Sequence, residues 1–464
     1  MPPPFLDRTL ELARLTRALS AREGTLSVVY GRRRVGKSRL VREALRGHPA
    51  VYYVGDDRDG PVQLSALARE IARLLPGFAD VTYGSWEPLL DRFAREAPKG
   101  AVLALDELPS IVARSPELPS LLQKFVDQEH RTARHLVLLG SSQRMMHGLA
   151  LDSTAPLFGR AKEILRVTPL GVGWFRRGTG AKTASDVVAG WAAFGGVPRY
   201  WELARPFRGG ARKALRDLAL DPLGVLHQEP DRLLRDDLDD IARAASVLGV
   251  VAAGAHRASE IAGRLGTPVT SLSRPLARLV DLGLIQRDVP FGESHRDGKR
   301  SLYRIADPFL RTWYRFVEPN RSRLEAGDLD AVERDVDARW QSHLGEAWED
   351  LARATLPALR IHGRSWTTGQ RYWGRDTKGG RIELDVVASA ANDPETVLVG
   401  EVKHRLRPAE IDRTLGDLER RASLCPALSG RRIHLALWVL EGAIGRRADV
   451  VSGPPWLRAV EAAR

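Results

Sequence analysis

Cysteine is almost absent from this sequence, and other features of secreted or membrane proteins are missing too. The single cysteine, Cys425, cannot form a disulfide within the chain, and a zinc site built from cysteines is excluded. No uninterrupted run of about 18 apolar residues occurs, so no membrane-spanning helix is expected. The N-terminus does not join a basic flank to an apolar core. We therefore expect no signal peptide, no membrane contact and a cytoplasmic location.

Positive charge, in contrast, is abundant. The 464 residues include 71 Lys and Arg against 58 Asp and Glu, which gives a net charge of +13. Such a balance favours contact with nucleic acid or with an anionic membrane surface. No amphipathic membrane anchor is visible, so DNA is the expected partner. The length predicts about three domains.

The sequence G-R-R-R-V-G-K-S at 31–38 matches the phosphate-binding pattern G-x-x-x-x-G-K-S. A β-rich apolar run precedes it and a stretch with helical spacing follows, which is the context that this motif requires. Loop amides and the helix start would hold the phosphates of ATP, Lys37 would neutralise the β and γ oxygens, and Ser38 would hold Mg²⁺. The residues expected to bind the nucleotide here are Gly31, Arg34, Gly36, Lys37, Ser38 and Arg39.

A second ATPase motif, A-V-L-A-L-D-E, occupies 101–107. It is an apolar strand that ends in two carboxylates, the Walker B arrangement. Asp106 is expected to orient the metal or its water, and Glu107 to polarise the attacking water.

Two weaker signals complete the ATPase site. The apolar run at 135–139 is followed by Ser141 and Ser142, either of which could sense the γ-phosphate, although a plain turn is also possible. Arg160 is a candidate cationic finger for its own nucleotide or for a neighbour's, and the second case requires a homo-oligomer. A surface arginine is the alternative.

Strand-like runs alternate with amphipathic helices over residues 1–170, which predicts a parallel sheet covered on both faces. The expected strands are 27–30, 50–54, 101–105, 135–139 and 163–167, and the expected helices include 64–75, 86–96 and 118–130. Residues 171–235 are mostly helical, with a sharp break at 194–200.

Residues 236–320 show the order of a winged helix-turn-helix. Helices are expected at 259–266 and 271–285, followed by a two-stranded wing around the Asp297–Gly298 turn. The side chains that would face DNA are Ser271, Ser273, Arg274 and Arg278 on the second helix and Arg296, Lys299 and Arg300 on the wing. Because this fold also mediates packing, DNA binding and packing both stay open.

Carboxylates mark the last part of the chain, 335–464, which follows a charged linker or exposed helix at 322–334. The strand at 381–388 carries Asp385, and the strand at 397–403 ends in Glu401 and Lys403, which share one face. An upstream helix offers Glu349 or Glu346 as a further acid. Arg371, Tyr372 and Trp373 precede the motif and could frame a phosphate.

In order along the chain, these motifs resemble a known family. They are F-L-D-R-T-L-E-L-A-R-L at 5–15, the P-loop, L-D-E, G-S-S, P-L-F-G-R and F-G-G-V-P-R-Y. Together they are similar to archaeal-type ATPases of the STAND/AAA+ group that carry a C-terminal DUF234 region. The resemblance implies that the opening segment packs near the adenine and that Pro198, in a helical lid at 171–235, lies near the nucleotide.

The acid on a helix, the following Asp and the E-x-K pair resemble the PD-(D/E)XK nuclease superfamily, in which DUF234 is placed. This resemblance implies that Asp385 and Glu401 bind Mg²⁺ and that Glu349 and Lys403 serve catalysis. No Pro precedes Asp385, which departs from the pattern. A nuclease fold without activity is the alternative.

We therefore expect an α/β protein with a P-loop ATPase core, a helical lid, a winged helix-turn-helix and a restriction-endonuclease-like C-terminal domain. ATP and Mg²⁺ are the expected cofactors, and DNA, a protein partner or further copies of the chain are the expected partners. Two functions follow from this organisation. One is an ATP-dependent protein that acts on DNA through a nuclease domain, and the other is a regulatory NTPase switch that releases its winged helix for a partner without cleavage.

Overall fold

A computed structural model describes residues 5–129, 133–238, 240–294, 296, 300–442 and 447–463. Contacts divide the chain into two compact units. The first, called the N-terminal unit, contains residues 6–169 and 235–239. The second, called the C-terminal unit, contains the residues before Leu6 together with 170–234 and 240–464.

A parallel sheet forms the centre of the N-terminal unit, as the alternating pattern predicts. Its strands are β1 (Leu26–Tyr30), β2 (Ala50–Val54), β3 (Val102–Asp106), β4 (His135–Gly140) and β5 (Ala161–Arg166). They lie in the order β2, β3, β4, β1, β5. Every residue of β3 and β4 is buried, because helices cover both faces of a parallel sheet.

The helices of the N-terminal unit pack around this sheet. They are α1 (Thr9–Leu19), α2 (Lys37–Ala44), α3 (Gly60–Ala72), α4 (Trp86–Glu96), α5 (Leu108–Arg114), α6 (Leu118–Glu129) and the short α7 (Gln143–Met146). Strand β2 and helix α4 have the predicted bounds. Helix α3 begins four residues before the predicted start, with Pro61 in its first turn, where the missing N–H is harmless.

The C-terminal unit opens with a helical segment, as predicted. Its helices are α8 (Phe175–Thr179), α9 (Ala184–Phe194), α10 (Pro198–Ala204) and α11 (Ala211–Leu215), and it contains α12 (Glu229–Asp237) as far as Leu234. The predicted break falls between α9 and α10. It forms because Gly195 adopts a φ of 58° and Pro198 starts the next helix.

The winged helix-turn-helix is confirmed in element order. It contains α13 (Ile241–Ala252), α14 (Ala258–Leu265), α15 (Ser273–Asp281), β6 (Ile285–Asp288) and β7 (Leu302–Ile305), and the two strands pair antiparallel. The second helix is shorter than the predicted 271–285. It ends at Asp281 because Gly283, with a φ of 71°, turns the chain into β6. The Asp297–Gly298 turn and Lys299 lie outside the described residues.

Three helices connect the wing to the last sheet: α16 (Pro308–Phe316), α17 (Arg321–Glu325) and α18 (Leu329–Ala354). Helix α18 is 26 residues long and begins inside the stretch predicted as a linker or exposed helix. Its buried positions, such as Val332, Val336 and Trp340, recur at helical spacing.

A mixed sheet forms the core of the last segment. Its strands are β10 (Gln370–Arg375), β11 (Arg381–Ala390), β12 (Asp393–Arg405), β13 (Arg432–Glu441) and β14 (Val450–Ser452), after the short pair β8 (Arg360–Ile361) and β9 (Arg364–Ser365). Strands β10 to β12 run antiparallel, whereas β12, β13 and β14 are parallel. Helices α19 (Ile411–Ser423) and α20 (Gly453–Ala462) complete the unit. Strand β10 was not predicted, because its polar sequence lacks an apolar run.

An ion-pair cluster joins the wing to helix α18. Asp350 accepts hydrogen bonds from Arg304 on β7 (2.8 Å), from Arg311 on α16 (2.6 Å) and from Arg353 one turn later on α18 (2.6 Å). Burial would raise the pKa of Asp350, but the three guanidinium groups outweigh it and hold that pKa well below the usual range. One carboxylate therefore neutralises cations from three elements.

Among the helices that the described residues form, none has the length and apolar character needed to cross a bilayer.

Replacing Asp350 by Asn should destabilise the protein, because the side chains of Arg311 and Arg353 are only 8% and 7% exposed and would lose their shared counter-charge. We expect a loss of about 3 kcal/mol in the free energy of unfolding, measured by thermal and urea unfolding of the full chain. Asp330→Asn is the matched control, since Asp330 is 79% exposed and its pair with Arg216 should contribute little. Equal stability of the two variants would contradict the role given to Asp350.

Candidate functional site

The glycine loop between β1 and α2 has a backbone that only glycine tolerates at two positions. Gly31 has a φ of 144°, and a Cβ there would lie 2.2 Å from the carbonyl oxygen of Val167. Gly36 has a φ of 100° and directly precedes α2. These two glycines let the loop curl tightly over the start of the helix, where amides and the helix dipole favour an anion.

Lys37 lies inside this loop. Its side chain is 95% buried, and Nζ donates to the carbonyl oxygens of Gly31 (2.7 Å) and Arg32 (3.1 Å). The ammonium group is therefore held at the centre of the loop, where the phosphates of a nucleotide would meet it.

A hydroxyl and a carboxylate meet beside the loop. Ser38 Oγ donates to Asp106 Oδ2 at 2.7 Å, and the amide of Glu107 donates to Asp106 Oδ1 at 2.9 Å. The Tyr52 hydroxyl also donates to Asp106 Oδ2. Burial and the neighbouring Asp106 raise the pKa of Tyr52, so its proton stays on the phenol. A serine hydroxyl and a carboxylate are hard oxygen donors, so this pair fits Mg²⁺.

Glu107 holds an unusual backbone conformation at the end of β3. Its φ is 52°, which is left-handed and unfavourable for a residue with a Cβ. Ser141 Oγ, at the end of the neighbouring β4, donates to Glu107 Oε2 at 2.8 Å. Ser142 instead caps α7 by accepting from the amide of Met145. Of the two candidate serines, Ser141 is therefore the one that contacts the catalytic candidate.

Arg8, in the opening segment, is a positioning residue that the sequence did not single out. It is 95% buried with a φ of 67°. Its guanidinium donates to the carbonyl oxygen of Val35 in the glycine loop (3.2 Å), to the carbonyl oxygen of Thr168 and to Glu11 (3.1 Å). The opening segment is thus tied to the glycine loop and to the chain that follows β5.

The remaining predicted ATPase residues have different surroundings. Arg34, with a φ of 66°, lies within the loop, and Arg39 lies in the first turn of α2. Arg160 binds Asp127 on α6 through two hydrogen bonds of 2.8 and 3.0 Å. Pro198 is the first residue of α10 in the C-terminal unit. The roles of Arg160 and Pro198 toward a nucleotide stay predictions.

A second cluster of polar side chains forms around strand β11. The pairing of β10 with β11 shifts register between the Gln370–Val387 and Tyr372–Leu384 pairs, so β11 carries an extra residue next to Asp385. Such a bulge interrupts the regular alternation of side chains between the two faces of the sheet and so redirects a side chain. Asp385 Oδ2 then accepts the amide of Val402 at 3.0 Å.

Glu401 lies on the neighbouring strand β12 and is 92% buried. Lys403 donates to its Oε1 at 2.7 Å, and Arg421 on α19 donates to its Oε2 at 2.6 Å. Arg421 also donates to the carbonyl oxygen of Glu383 at 2.9 Å. The E-x-K pair is therefore formed as predicted, and Arg421 is an additional cation that no sequence signal indicated.

Helix α18 brings a third carboxylate, and the structure distinguishes the two candidates. Glu346 forms an ion pair with Arg315 at 2.9 Å, whereas Glu349 lies close enough to Asp385 for the charge of Asp385 to raise the pKa of Glu349. Burial, followed by the charge of Asp385, raises the pKa of Glu349 to about 7. Burial and Glu401 also raise the pKa of Asp385. Arg353 links the two by donating to the Asp385 carbonyl oxygen at 2.7 Å.

The structure thus gathers Glu349, Asp385, Glu401 and Lys403 around β11 and β12. Within the ranges that the structure describes, no three His, Cys, Asp or Glu side chains are grouped closely enough to hold a metal ion. Carboxylates are the donor type that Mg²⁺ and Mn²⁺ prefer, but both oxygens of Glu401 are already paired with cations. The metal-ligand roles of Asp385 and Glu401 therefore stay predictions.

The predicted DNA-facing side chains of the winged helix differ in exposure. Ser273 and Arg274 are exposed and Arg278 is half-buried. Ser271 is held locally, because its Oγ donates to the Pro268 carbonyl oxygen at 2.7 Å and accepts from Arg243 at 2.9 Å. On the wing, Arg296 is exposed and Arg300 pairs with Glu293.

Family models match three parts of the chain. Residues 5–203 match an ATPase domain found predominantly in Archaea. Residues 241–289 match the helix-turn-helix domain of the IclR type. Residues 313–414 match DUF234, a family of archaeal and bacterial proteins of unknown function. The predicted combination of an ATPase with a DUF234 region is confirmed, as is the helix-turn-helix.

Individual proteins show the same likeness. An uncharacterized protein of Methanocaldococcus jannaschii, MJECL04, is 27% identical over 426 residues, which cover 90% of this chain and 92% of that protein. The Walker-type ATPase PABY2304 of Pyrococcus abyssi shares the fold with a TM-score of 0.53 and 21% identity, over 67% of this chain and 96% of that chain. The ORC2 protein of Aeropyrum pernix gives a TM-score of 0.47 and 15% identity, over 73% and 96% of the two chains.

The raised pKa of Glu349 leads to a prediction about stability. Because folding raises this pKa from 4.5 to about 7, protonated Glu349 stabilises the fold below about pH 4.5, and this contribution is lost as the pH rises through about 7. Glu349→Gln should therefore have a higher melting temperature than the native protein at pH 8, with the difference disappearing near pH 5. Differential scanning fluorimetry measures this. Glu395→Gln, an exposed substitution on β12, should show no such dependence, and a pH-independent difference for Glu349→Gln would refute the assignment.

Proposed function

We propose that this chain, which joins an ATPase domain of the predominantly archaeal kind to a DUF234 region, hydrolyses ATP and couples the hydrolysis to an action on DNA. One observation carries the hydrolysis part. The loop lysine, the Ser38–Asp106 pair and the Glu107–Ser141 pair are assembled at the same end of one parallel sheet. Binding pockets of open parallel sheets form at that end.

Each residue has a defined task in hydrolysis. The loop amides and Lys37 bind the phosphates. Ser38 and Asp106 would hold Mg²⁺, which screens the negative charge of the phosphates. Glu107 accepts a hydrogen bond from the attacking water and orients it. Ser141 occupies one oxygen of Glu107 at 2.8 Å and so leaves the other available for that water.

Ser141 also supports a sensing role. Its hydroxyl, which now donates to Glu107, would donate instead to a γ-phosphate oxygen when ATP is bound. The left-handed backbone of Glu107 is an unfavourable conformation that packing maintains, and such conformations concentrate at sites that change state. Binding of the triphosphate would therefore also free the Glu107 oxygen that Ser141 now holds, so that both carboxylate oxygens are open to water.

The action on DNA rests on the C-terminal unit. A helix-turn-helix domain is present at 241–289, and its second helix exposes Ser273 and Arg274 at the N-terminal end, which is the end that enters the major groove in this fold. The net charge of +13 supports contact with phosphates.

Glu107→Gln should retain ATP binding and lose about a hundredfold or more in turnover, because the glutamine amide cannot accept a proton from water. Lys37→Ala should lose binding as well. Steady-state phosphate release and fluorescent-nucleotide binding, each with and without duplex DNA, measure both effects. Glu117→Gln, an exposed change in the same unit, is the matched control. Turnover by Glu107→Gln at the rate of the control would contradict the proposed hydrolytic site.

A second function, metal-dependent cleavage of DNA, is favoured by the carboxylate cluster. Helix α18, the antiparallel strands β10 to β12, helix α19 and the parallel strand β13 occur in this order, with the short pair β8 and β9 between α18 and β10. The electrostatic and ion-pair contacts among Glu349, Asp385, Glu401 and Lys403 support this second function. Lys403 would stabilise charge on the scissile phosphate, and Mg²⁺ on Asp385 and Glu401 would polarise it.

The alternative is a regulatory switch that binds DNA or a partner without cutting. The observation in its favour is that both oxygens of Glu401 are already paired, with Lys403 and with Arg421. A cation at Glu401 would have to displace Arg421. In this alternative the E-x-K pair stabilises the sheet and does no chemistry.

Cleavage of linear, circular and branched DNA with Mg²⁺ or Mn²⁺, with and without ATP, distinguishes these two functions. If the cluster is a nuclease, the native protein cuts and Asp385→Asn loses at least a hundredfold, because a metal ligand is removed. Glu395→Gln should cut like the native protein. Absence of cleavage on every substrate, with ATP turnover intact, would instead establish the switch.

A further inference from the structure

A groove of about 1260 Å³ lies within the C-terminal unit, between the winged helix and the β10–β11 hairpin. Helix α14 and strand β7 contribute one wall, and the two strands contribute the other. Its charged lining consists of four arginines and two glutamates: Arg257, Arg300, Arg375, Arg381, Glu260 and Glu383. A role for this groove in binding a ligand rests on the proposed action of the protein on DNA.

Two of these arginines face each other without a counter-ion. Arg375 and Arg381 are directly paired across the antiparallel strands, and both are exposed. Like charges opposite each other destabilise a sheet. Neither side chain forms an ion pair with any acid in the described part of the chain. The repulsion would be relieved by an anion bound between the two guanidinium groups.

The two glutamates of the groove do not supply that anion. Glu260 Oε2 accepts the backbone amides of His256 and Arg257, both at 3.0 Å, and so caps helix α14. The Glu383 carboxylate pairs with Arg371. Both acids already have local partners, so the groove keeps its excess of positive charge.

An aromatic side chain lies beside the arginine pair. Trp373 lines the groove, and its indole Nε1 is buried without a hydrogen-bond partner among the described residues. The next residue, Gly374, leaves room for the side chain of Arg300. A Cβ at position 374 would lie only 2.8 Å from Arg300 Nη1.

The groove also leads toward the carboxylate cluster. Glu383 lines the groove and lies two residues before Asp385 on β11. Arg421 binds both the Glu383 carbonyl oxygen and the Glu401 carboxylate. From Arg381 to Asp385 the strand rises about 13 Å, so a bound chain spanning these positions would extend over a few nucleotides.

We propose that this groove binds a single-stranded segment of nucleic acid. Arg375 and Arg381 clamp one backbone phosphate between them, and Trp373 stacks on an adjacent base. Paired cations together with an accessible aromatic face are the features by which proteins hold unpaired strands. A duplex would offer its phosphates but not its base faces, so the tryptophan favours a single strand.

Anisotropy of a fluorescein-labelled 20-nucleotide single strand, and of the corresponding duplex, tests this proposal at several salt concentrations. Arg375→Gln/Arg381→Gln should bind the single strand about tenfold more weakly than the native protein. The slope of log affinity against log salt should fall by about 0.7, since the two arginines hold one phosphate and each phosphate contact accounts for about 0.7 on single strands. Duplex binding should change less. Arg364→Gln/Arg458→Gln removes the same charge from exposed sites outside the groove and is the matched control.

Three results would overturn the proposal. They are equal binding by the groove variant and the control, an unchanged salt slope, and an equal loss for single strand and duplex. Failure of the native protein to bind either nucleic acid would instead refute the proposed action on DNA, so the two claims fail separately. Trp373→Phe, which keeps stacking and removes the N–H, should retain most of the affinity, whereas Trp373→Leu should not.

Discussion

The ATPase site exists because adjacent parallel strands end at the same edge of a sheet. Strands β1, β3 and β4 are neighbours, and their carboxyl ends deliver the glycine loop, Asp106 with Glu107, and Ser141. Ser38 and Asp106 are 68 positions apart in sequence and Glu107 and Ser141 are 34 apart, and both pairs thus come within hydrogen-bonding distance. Any change that shifted β3 against β1 would separate Asp106 from Ser38, which now lie 2.7 Å apart.

This constraint explains which parts of the site could be predicted from sequence. The glycine loop and the Walker B acids can be recognised from the sequence, because their chemistry needs particular residues at a fixed spacing after an apolar strand. Tyr52 could not be found in this way, since its contact with Asp106 depends on β2 lying beside β3. Arg8 was missed for a similar reason. An arginine in a polar opening segment gives no sign that it will be buried against the Val35 carbonyl oxygen.

The C-terminal carboxylates are brought together by the packing of a helix on a sheet, and not by the ends of parallel strands. Glu349, Asp385 and Glu401 approach one another from a helix and two strands, so burial and mutual repulsion oppose their ionisation, and Lys403 and Arg421 offset part of this cost. The sequence indicated the E-x-K pair, because its alternation on a strand is local. It left Glu346 and Glu349 undecided, since only the packing of α18 against β11 shows which acid turns inward. Strand β10 also escaped prediction, because its polar sequence lacks an apolar run.

Asp350 has a mechanical consequence for how this protein can move. Arg304 on β7 and Arg311 on α16 both bind Asp350 on α18, so this one carboxylate holds the wing and the connecting helix to the long helix. A motion that swung the winged helix away from α18 would have to break both of these bonds, whereas the bond from Arg353 lies within α18 and would stay. A strand bound in the proposed groove would therefore keep its position relative to Asp385 for as long as both bonds hold.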